Sequence, residues 1–215
     1  MEHENRRSFG TVVGFWAFDL ASGPSHWPEC SLEYVDVGAK PDSIVEIAGW
    51  TGYSTAELTA RFNHGACCVS LHVDREWASV GWVSTVPVWV GELLTWFTPP
   101  DGDAYVWDCV TRTRFRGHGL YPYLLRVICW QLAVGGHRRV WIATEWTNWR
   151  SEVGIARAGF SPVGAVVAMR SGAFTWRRLI PDPDAGDDLV EVLKGSIGSA
   201  RRRKGNSSMV GRRAA

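Results

Sequence analysis

With 215 residues, 46% of them hydrophobic and 21% charged, the chain can bury one substantial core, so a single globular domain is the first expectation. No apolar run approaches the roughly 20 residues that span a bilayer, and none follows the charged opening MEHENRRSFG, so a soluble, cytoplasmic protein with no membrane contact is expected. The net charge of +1 hides an asymmetry, because seven of the 23 basic residues and none of the 22 acidic ones lie from Lys194 onward, leaving the rest at −6.

Val12 to Leu20 reads as a first strand, followed by a Pro/Gly-rich connection. SIVEIAGWTG and STAELTARFNHG read as one broken helix or two short ones; Ser54 and Glu57 form a capping box, and Gly65 closes the second. ACCVSLHVD and ASVGWVSTV, separated by REW, predict a hairpin over 66–84. WVGELLTWF extends or follows that sheet, and TPPDGD is a turn. Ala104 to Thr111 predicts another strand. Leu125, Ile128, Cys129 and Leu132 then mark one face of a helix stopped by Gly135 and Gly136. RRVWIATEW is a strand, TNWRSEVGIARAG a short helix capped by Thr147 or Asn148 and ended by Gly159, and PVGAVVAMRS with FTWRRLI a closing hairpin. Strand, helix, strand across 104–146 implies a right-handed parallel crossover within an otherwise antiparallel sheet. The fold class expected is a mixed α/β sheet with helices on both faces.

The domain is expected over 1–185, with 186–215 a basic, disordered Gly/Ser/Arg-rich tail. Such a tail could touch a polyanion, and nucleic acid is expected as a partner in no other way. Five cysteines, Cys30, Cys67, Cys68, Cys109 and Cys129, without C-x-x-C spacing predict reduced, mostly buried thiols and no metal site. Thirteen tryptophans spread from Trp16 to Trp176 predict core filling plus some cleft lining.

The densest cluster is TRFRGHGLYPYLL, Thr113 to Leu125, between a strand and a helix. Arg116, Gly117, His118, Gly119 and Leu120 lie where successive backbone N–H groups and the helix dipole favour an anion, and Arg114 and Arg116 can add charge. The plain alternative is a tight turn with solvated arginines. The patterns G-x-x-x-x-G-K-[ST] and G-x-G-x-x-G are both absent, which removes the main support for nucleotide triphosphate and dinucleotide readings.

CVTRTRFRGHGLYPYLLRVI resembles the acyl-CoA-binding segment of GCN5-related N-acetyltransferases (GNAT superfamily), Q/R-x-x-G-x-G/A between a strand and a helix. Arg114, Gly117 and Gly119 satisfy the pattern literally. Arg116, Gly119 and Tyr121 place Leu124 and Leu125 better and are preferred, with Tyr121 departing from the usual Gly/Ala. NWRSEVGIARAGF, Asn148 to Phe160, resembles the later N-x-x-S/A…GF segment. The resemblance covers residues 66 to 170 and implies a sheet splayed between its two central parallel strands. Acyl-CoA, with acetyl-CoA the donor expected, would lie in that V: pantetheine along Cys109, Val110 and Thr111, pyrophosphate on Arg116 to Leu120, with Asn148 and Ser151 nearby.

The resemblance implies acetyl transfer to a primary amine by direct attack in a ternary complex. This needs an uncharged amine, a donor for the developing oxyanion and a proton for the thiolate. A backbone N–H near Cys109 or Val110 is the candidate oxyanion donor. Asp108 is the first candidate base, with Asp103 and Glu92 as alternatives. The family's usual tyrosine falls at Ile155, so Tyr121 or Ser151 would have to donate the proton, or solvent would. His118 reads as solvated, Asn148 equally as a helix cap, and Cys109 as a buried thiol. Trp82, Trp89, Trp96 and Trp107 could wall the acceptor side, and an acidic domain suits a cationic small molecule such as an amino sugar, polyamine or amine metabolite. A monomer or homodimer is expected. The rival reading, prompted by Ile155, is a catalytically weakened module that binds acyl-CoA as a sensor.

Overall fold

Alternation organises the first strand, β1 (Phe9–Asp19): Val13, Phe15 and Ala17 are buried on one face, while Trp16 and Phe18 pack on the other. The structure is a computed structural model and describes residues 9–22, 35–37, 44–171 and 174–198. After β1 come β2 (Val35–Val37), α1 (Ile44–Thr51), α2 (Thr55–Asn63), β3 (Cys67–Val73) and β4 (Glu76–Ser84). The middle of the chain forms β5 (Val88–Val90), β6 (Thr95–Phe97), β7 (Asp103–Thr111), α3 (Leu120–Val134) and β8 (Arg139–Glu145). It ends in α4 (Trp149–Arg157), β9 (Ser161–Ser171), β10 (Phe174–Pro181), α5 (Asp187–Ser196) and β11 (Ile197–Gly198).

Eight strands form one sheet in the order β10-β9-β1-β8-β7-β4-β3-β2. Only β7 and β8 run parallel, as the 104–146 crossover requires; the other neighbours are antiparallel. On one face α3 and α4 bury Leu124, Leu125, Ile128, Ile155 and Ala158 against Ala78, Ala104 and Val106. On the other, α1 and α2 bury Ile47 and Leu58 against Cys68, Val80 and Trp82. α5 places Val190 and Leu193 on that second face, against Val163 and Val166. The expected mixed sheet with helices on both faces is therefore observed.

WVGELLTWF follows the main sheet rather than extending it: β5 and β6 pair with each other, and β11 joins them to make a second, three-stranded sheet. Residues 187–196, expected within the tail from 186, form α5, which alternates apolar and charged residues at helical spacing and buries Val190 and Leu193 at 9% and 0% exposure. The basic residues from Arg201, like Cys30, lie outside the described residues.

Two irregularities in β7 shape the middle of the molecule. Its ladder with β8 runs from Asp103↔Arg139 to Val106↔Ile142 and stops, although β7 continues to Thr111 and β8 to Glu145. Its ladder with β4 jumps from Trp82↔Trp107 to Val80↔Val110, so Asp108 and Cys109 together oppose Gly81. That is a β-bulge, which bends the bulged strand and leaves its extra residue unpaired. Asp108 adopts a left-handed conformation (φ 46°) to make it.

Candidate active site

The bulge and the end of the parallel ladder coincide, so β7 and β8 part immediately after Val106 and Ile142. A cleft of about 680 Å³ occupies the opening. β8 lines it with Ile142 to Glu145, α4 with Asn148 and Ser151, and α3 with Tyr121. On the far side stand Glu57, Arg61 and His64 of α2, and Trp89, Glu92 and Trp96 of the β5–β6 region. Tyr105, Trp107, Asp108 and Cys109 form its floor. Of the four tryptophans expected to wall the acceptor side, Trp89, Trp96 and Trp107 line the cleft, whereas Trp82 is fully buried beneath α1 and α2 in the core.

At one end of the V, β7 runs through a short 3-10 turn (Thr113–Phe115) to α3. Gly117 and Gly119 hold φ of 85° and 74°, and Gly119 is the helix N-cap. The N–H groups of Gly117, His118 and Gly119 have no acceptor among the described residues, so the loop presents donors at a helix N-terminus. Leu120 is 1% exposed and offers only backbone there. Arg116 donates from Nε to the Thr111 carbonyl at 3.0 Å, tying the loop to the strand end, while Arg114 pairs with Glu76. Leu124 and Leu125 are fully buried in the core beneath α3. Val110 and Thr111 pair with β4 on one side, and Ser79 Oγ bonds both the Val110 carbonyl and Thr111 Oγ1. Their other edge faces the opening, where β8 no longer pairs.

Tyr121 occupies the helix position where a small residue was expected, and the reason lies on α4. A Cβ on Gly154 would overlap the Tyr121 ring, so the glycine makes room for the tyrosine. The Tyr121 hydroxyl lies beside Ser151 and Cys109, and burial pushes its pKa well above the ordinary value, keeping the phenol protonated. Ile155 is completely buried in the core and carries no hydroxyl. Asn148 lines the cleft and also caps α4, its Oδ1 accepting from the Ser151 N–H at 3.3 Å.

Asp108 faces the opposite half of the cleft, where Arg61 approaches its Oδ2 at 2.7 Å. Arg61 also bonds Glu57 Oε1 at 2.9 Å and lies over the rings of Tyr53, at 4.3 Å, and Trp82, at 5.1 Å. Tyr53 turns its hydroxyl to the same pair; burial first and Asp108 second raise its pKa. Asp103 belongs elsewhere and is corrected as a cleft residue: it is 1% exposed at the start of β7, accepts from Trp141 Nε1 at 2.9 Å and faces Arg138 and Arg139. Glu92 lines the cleft and has no ion pair among the described residues. The Cys109 thiol, expected to be buried, is only half-buried and lines the cleft, and desolvation raises its pKa and keeps it neutral. Cys67, Cys68, Cys109 and Cys129 are all free, and no group of metal-ligating side chains occurs among the described residues.

Sequence reasoning missed Arg61, Tyr105 and Gly154. Arg61 lies on α2, away from the motif-bearing segments, and reaches the cleft only because α2 packs over β4 and β7. A glycine inside a short helix at 154 was the one visible signal that another side chain needed its space.

Solved structures share this architecture. The chain superposes on a GCN5-related N-acetyltransferase from Sphaerobacter thermophilus with a TM-score of 0.52, at 13% identity, covering 82% of this chain and 54% of that one. It matches a GCN5-related N-acetyltransferase from Kribbella flavida at 0.51 and 17% identity, covering 77% and 61%. A tandem GNAT protein from the clavulanic acid biosynthesis pathway gives 0.52 and 17%, covering 81% and 55%. No protein-family model and no curated protein sequence matches the chain. The protein has the GNAT fold, and it spans between about half and two thirds of the length of these structures.

Proposed function

We propose that the protein is an acyl-CoA-dependent N-acyltransferase, most simply an acetyltransferase, acting on a primary amine of a small molecule. The observation that carries the reading is the coincidence of the β7 bulge with the end of the β7–β8 ladder, above a loop of unpaired N–H groups at the start of α3. A strand edge suits an amide-bearing pantetheine, and the loop suits a pyrophosphate, so the residues present fit acyl-CoA. Bound acyl-CoA would supply a thioester, whose exchange with an amine forms an N–C bond and releases a thiol.

This chain's residues then have separate tasks. The unpaired backbone at Asp108 and Cys109 offers an N–H to the carbonyl oxygen as charge develops on it. Tyr121, held neutral by burial, donates its proton to the departing sulfur in place of the hydroxyl that Ile155 lacks. Asp108, fixed by Arg61, orients the incoming ammonium and passes its proton to water. Arg116 closes the phosphate loop, and Asn148 and Ser151 shape the wall beside Tyr121.

Calorimetric titration with acetyl-CoA, followed by a screen of amines for release of free thiol, tests this. Binding and amine-dependent thiol release are expected. No binding by the wild type, or unchanged binding in a Gly119→Asp, Arg116→Ala double variant, would overturn the cofactor assignment. Binding without turnover of any amine would favour the sensor reading that Ile155 suggests.

A further inference from the structure

The acceptor half of the cleft carries three observations that the transfer chemistry leaves unused. The first is aromatic. Alternation along β5 and β6 sends Val90 and Phe97 into the core, at 5% and 0% exposure, and turns Trp89 and Trp96 outward. These two are cross-strand partners with ring centroids 5.5 Å apart at 71°, both line the cleft, and they remain 49% and 36% exposed. Large aromatic surface kept open inside a concavity suits a ligand that covers it.

The second is charge. Glu57, Glu92, Asp108 and Glu145 line the cleft against a single guanidinium, that of Arg61. Arg61 is already engaged by Glu57 and Asp108. Glu92 and Glu145 have no ion pair among the described residues. The third is a hydroxyl. Tyr105 is 3% exposed, and its ring and hydroxyl belong to the wall of the cleft. Glu92 and Asp108 both act on it electrostatically, so it lies within reach of the two carboxylates.

We infer that the acceptor is a dicationic amine: its reacting ammonium is oriented at Asp108, and a second ammonium seats at Glu92, the Tyr105 oxygen and the Trp89–Trp96 pair. The aromatic rings attract a cation, Glu92 neutralises it, and Tyr105 accepts one of its N–H groups. An anionic or purely apolar acceptor would leave Glu92 facing like charge or no partner. The inference rests on the acyltransferase reading for the role of the first ammonium, but the second site stands on its own.

The test is equilibrium binding, by calorimetry, of 1,3-diaminopropane, 1,4-diaminobutane and 1,6-diaminohexane against n-butylamine and β-alanine, with acetyl-CoA titrated separately. At least one diamine is expected to bind about tenfold more tightly than n-butylamine, and salt should weaken it. Glu92→Gln and Trp89→Ala should each erase that preference while the melting temperature and the acetyl-CoA affinity hold. Equal binding of diamines and n-butylamine, tighter binding of β-alanine, or a preference that survives in both variants would overturn the inference. Diamine binding without acetyl-CoA binding would instead sink the acyltransferase reading and leave the dication site standing.

Discussion

Tyr121 shows how one residue can be displaced from a pattern and still explained by its surroundings. Read from the sequence, it was an odd bulky residue in a helix's first turn, and Ile155 was a missing hydroxyl. The structure joins the two through Gly154, whose absent side chain lets the Tyr121 ring lie against α4 beside Ser151. Tyr121→Phe should therefore lower kcat by about 100-fold while acetyl-CoA affinity is kept, the size typical of losing a general acid. Single-turnover kinetics would check this, and an unchanged kcat would remove Tyr121 as the donor. Arg61 is the other residue with leverage. Arg61→Ala leaves Asp108 and Glu57 facing each other and exposes the Tyr53 and Trp82 rings, and a loss of about 2 kcal/mol in urea unfolding is expected.

At the scale of elements, the bulge in β7 depends on the strand beside it. Gly81 opposes Asp108 and Cys109, and a Cβ there would come within 2.9 Å of Cys109 Sγ and 3.3 Å of Ile128 and Leu124. Gly81→Ala should cost about 1 to 3 kcal/mol through overpacking and should weaken acetyl-CoA binding as well, because the strand edge shifts with the bulge. Thermal unfolding and calorimetry together read both effects. The elements themselves were largely legible: helix periodicity in α3, Ser54 as the cap of α2 and the glycine stops all appear in the structure near their expected places, although the Glu57 carboxylate of the expected capping box bonds Arg61. The bulge was not legible, since an aspartate at positive φ leaves no trace in composition. Nor was the second sheet, because pairing between β6 and β11 joins residues about a hundred positions apart. Asp103 was misplaced for a related reason. Its position on β7 was clear, but whether that end of the strand faced the cleft or Trp141 depended on β8, a partner the local pattern does not specify.

The whole molecule carries its thiols and phenols as a pH-dependent load. Burial pushes the Cys68 pKa from 9.0 up to about 12 and raises those of Cys109, Cys129, Tyr105 and Tyr121. The unfolded thiols ionise first, so their contribution is complete below about pH 9 and is lost as pH rises through the folded values, by about 1.4 kcal/mol per pH unit for each thiol. Urea midpoints should consequently be lower at pH 10.5 than at pH 7.5, and Cys129→Ala should shrink the difference; equal midpoints would contradict it. The C-terminal segment matters at the same scale. A chain ending at residue 185 should be markedly less stable than one ending at 198, since α5 buries Val190 and Leu193, each contributing about 1.5 to 3 kcal/mol.

The Trp89–Trp96 hairpin is completed by strand pairing from β11, and the Thr98 N–H bonds the Ser196 carbonyl at 2.8 Å. Synthesis proceeds from the N-terminus, and long-range pairing waits for its partner to emerge. While a chain is still on the ribosome, the main sheet and the loop before α3 have all their residues, but the wall beneath the two tryptophans lacks its third strand until residue 198 clears the exit tunnel.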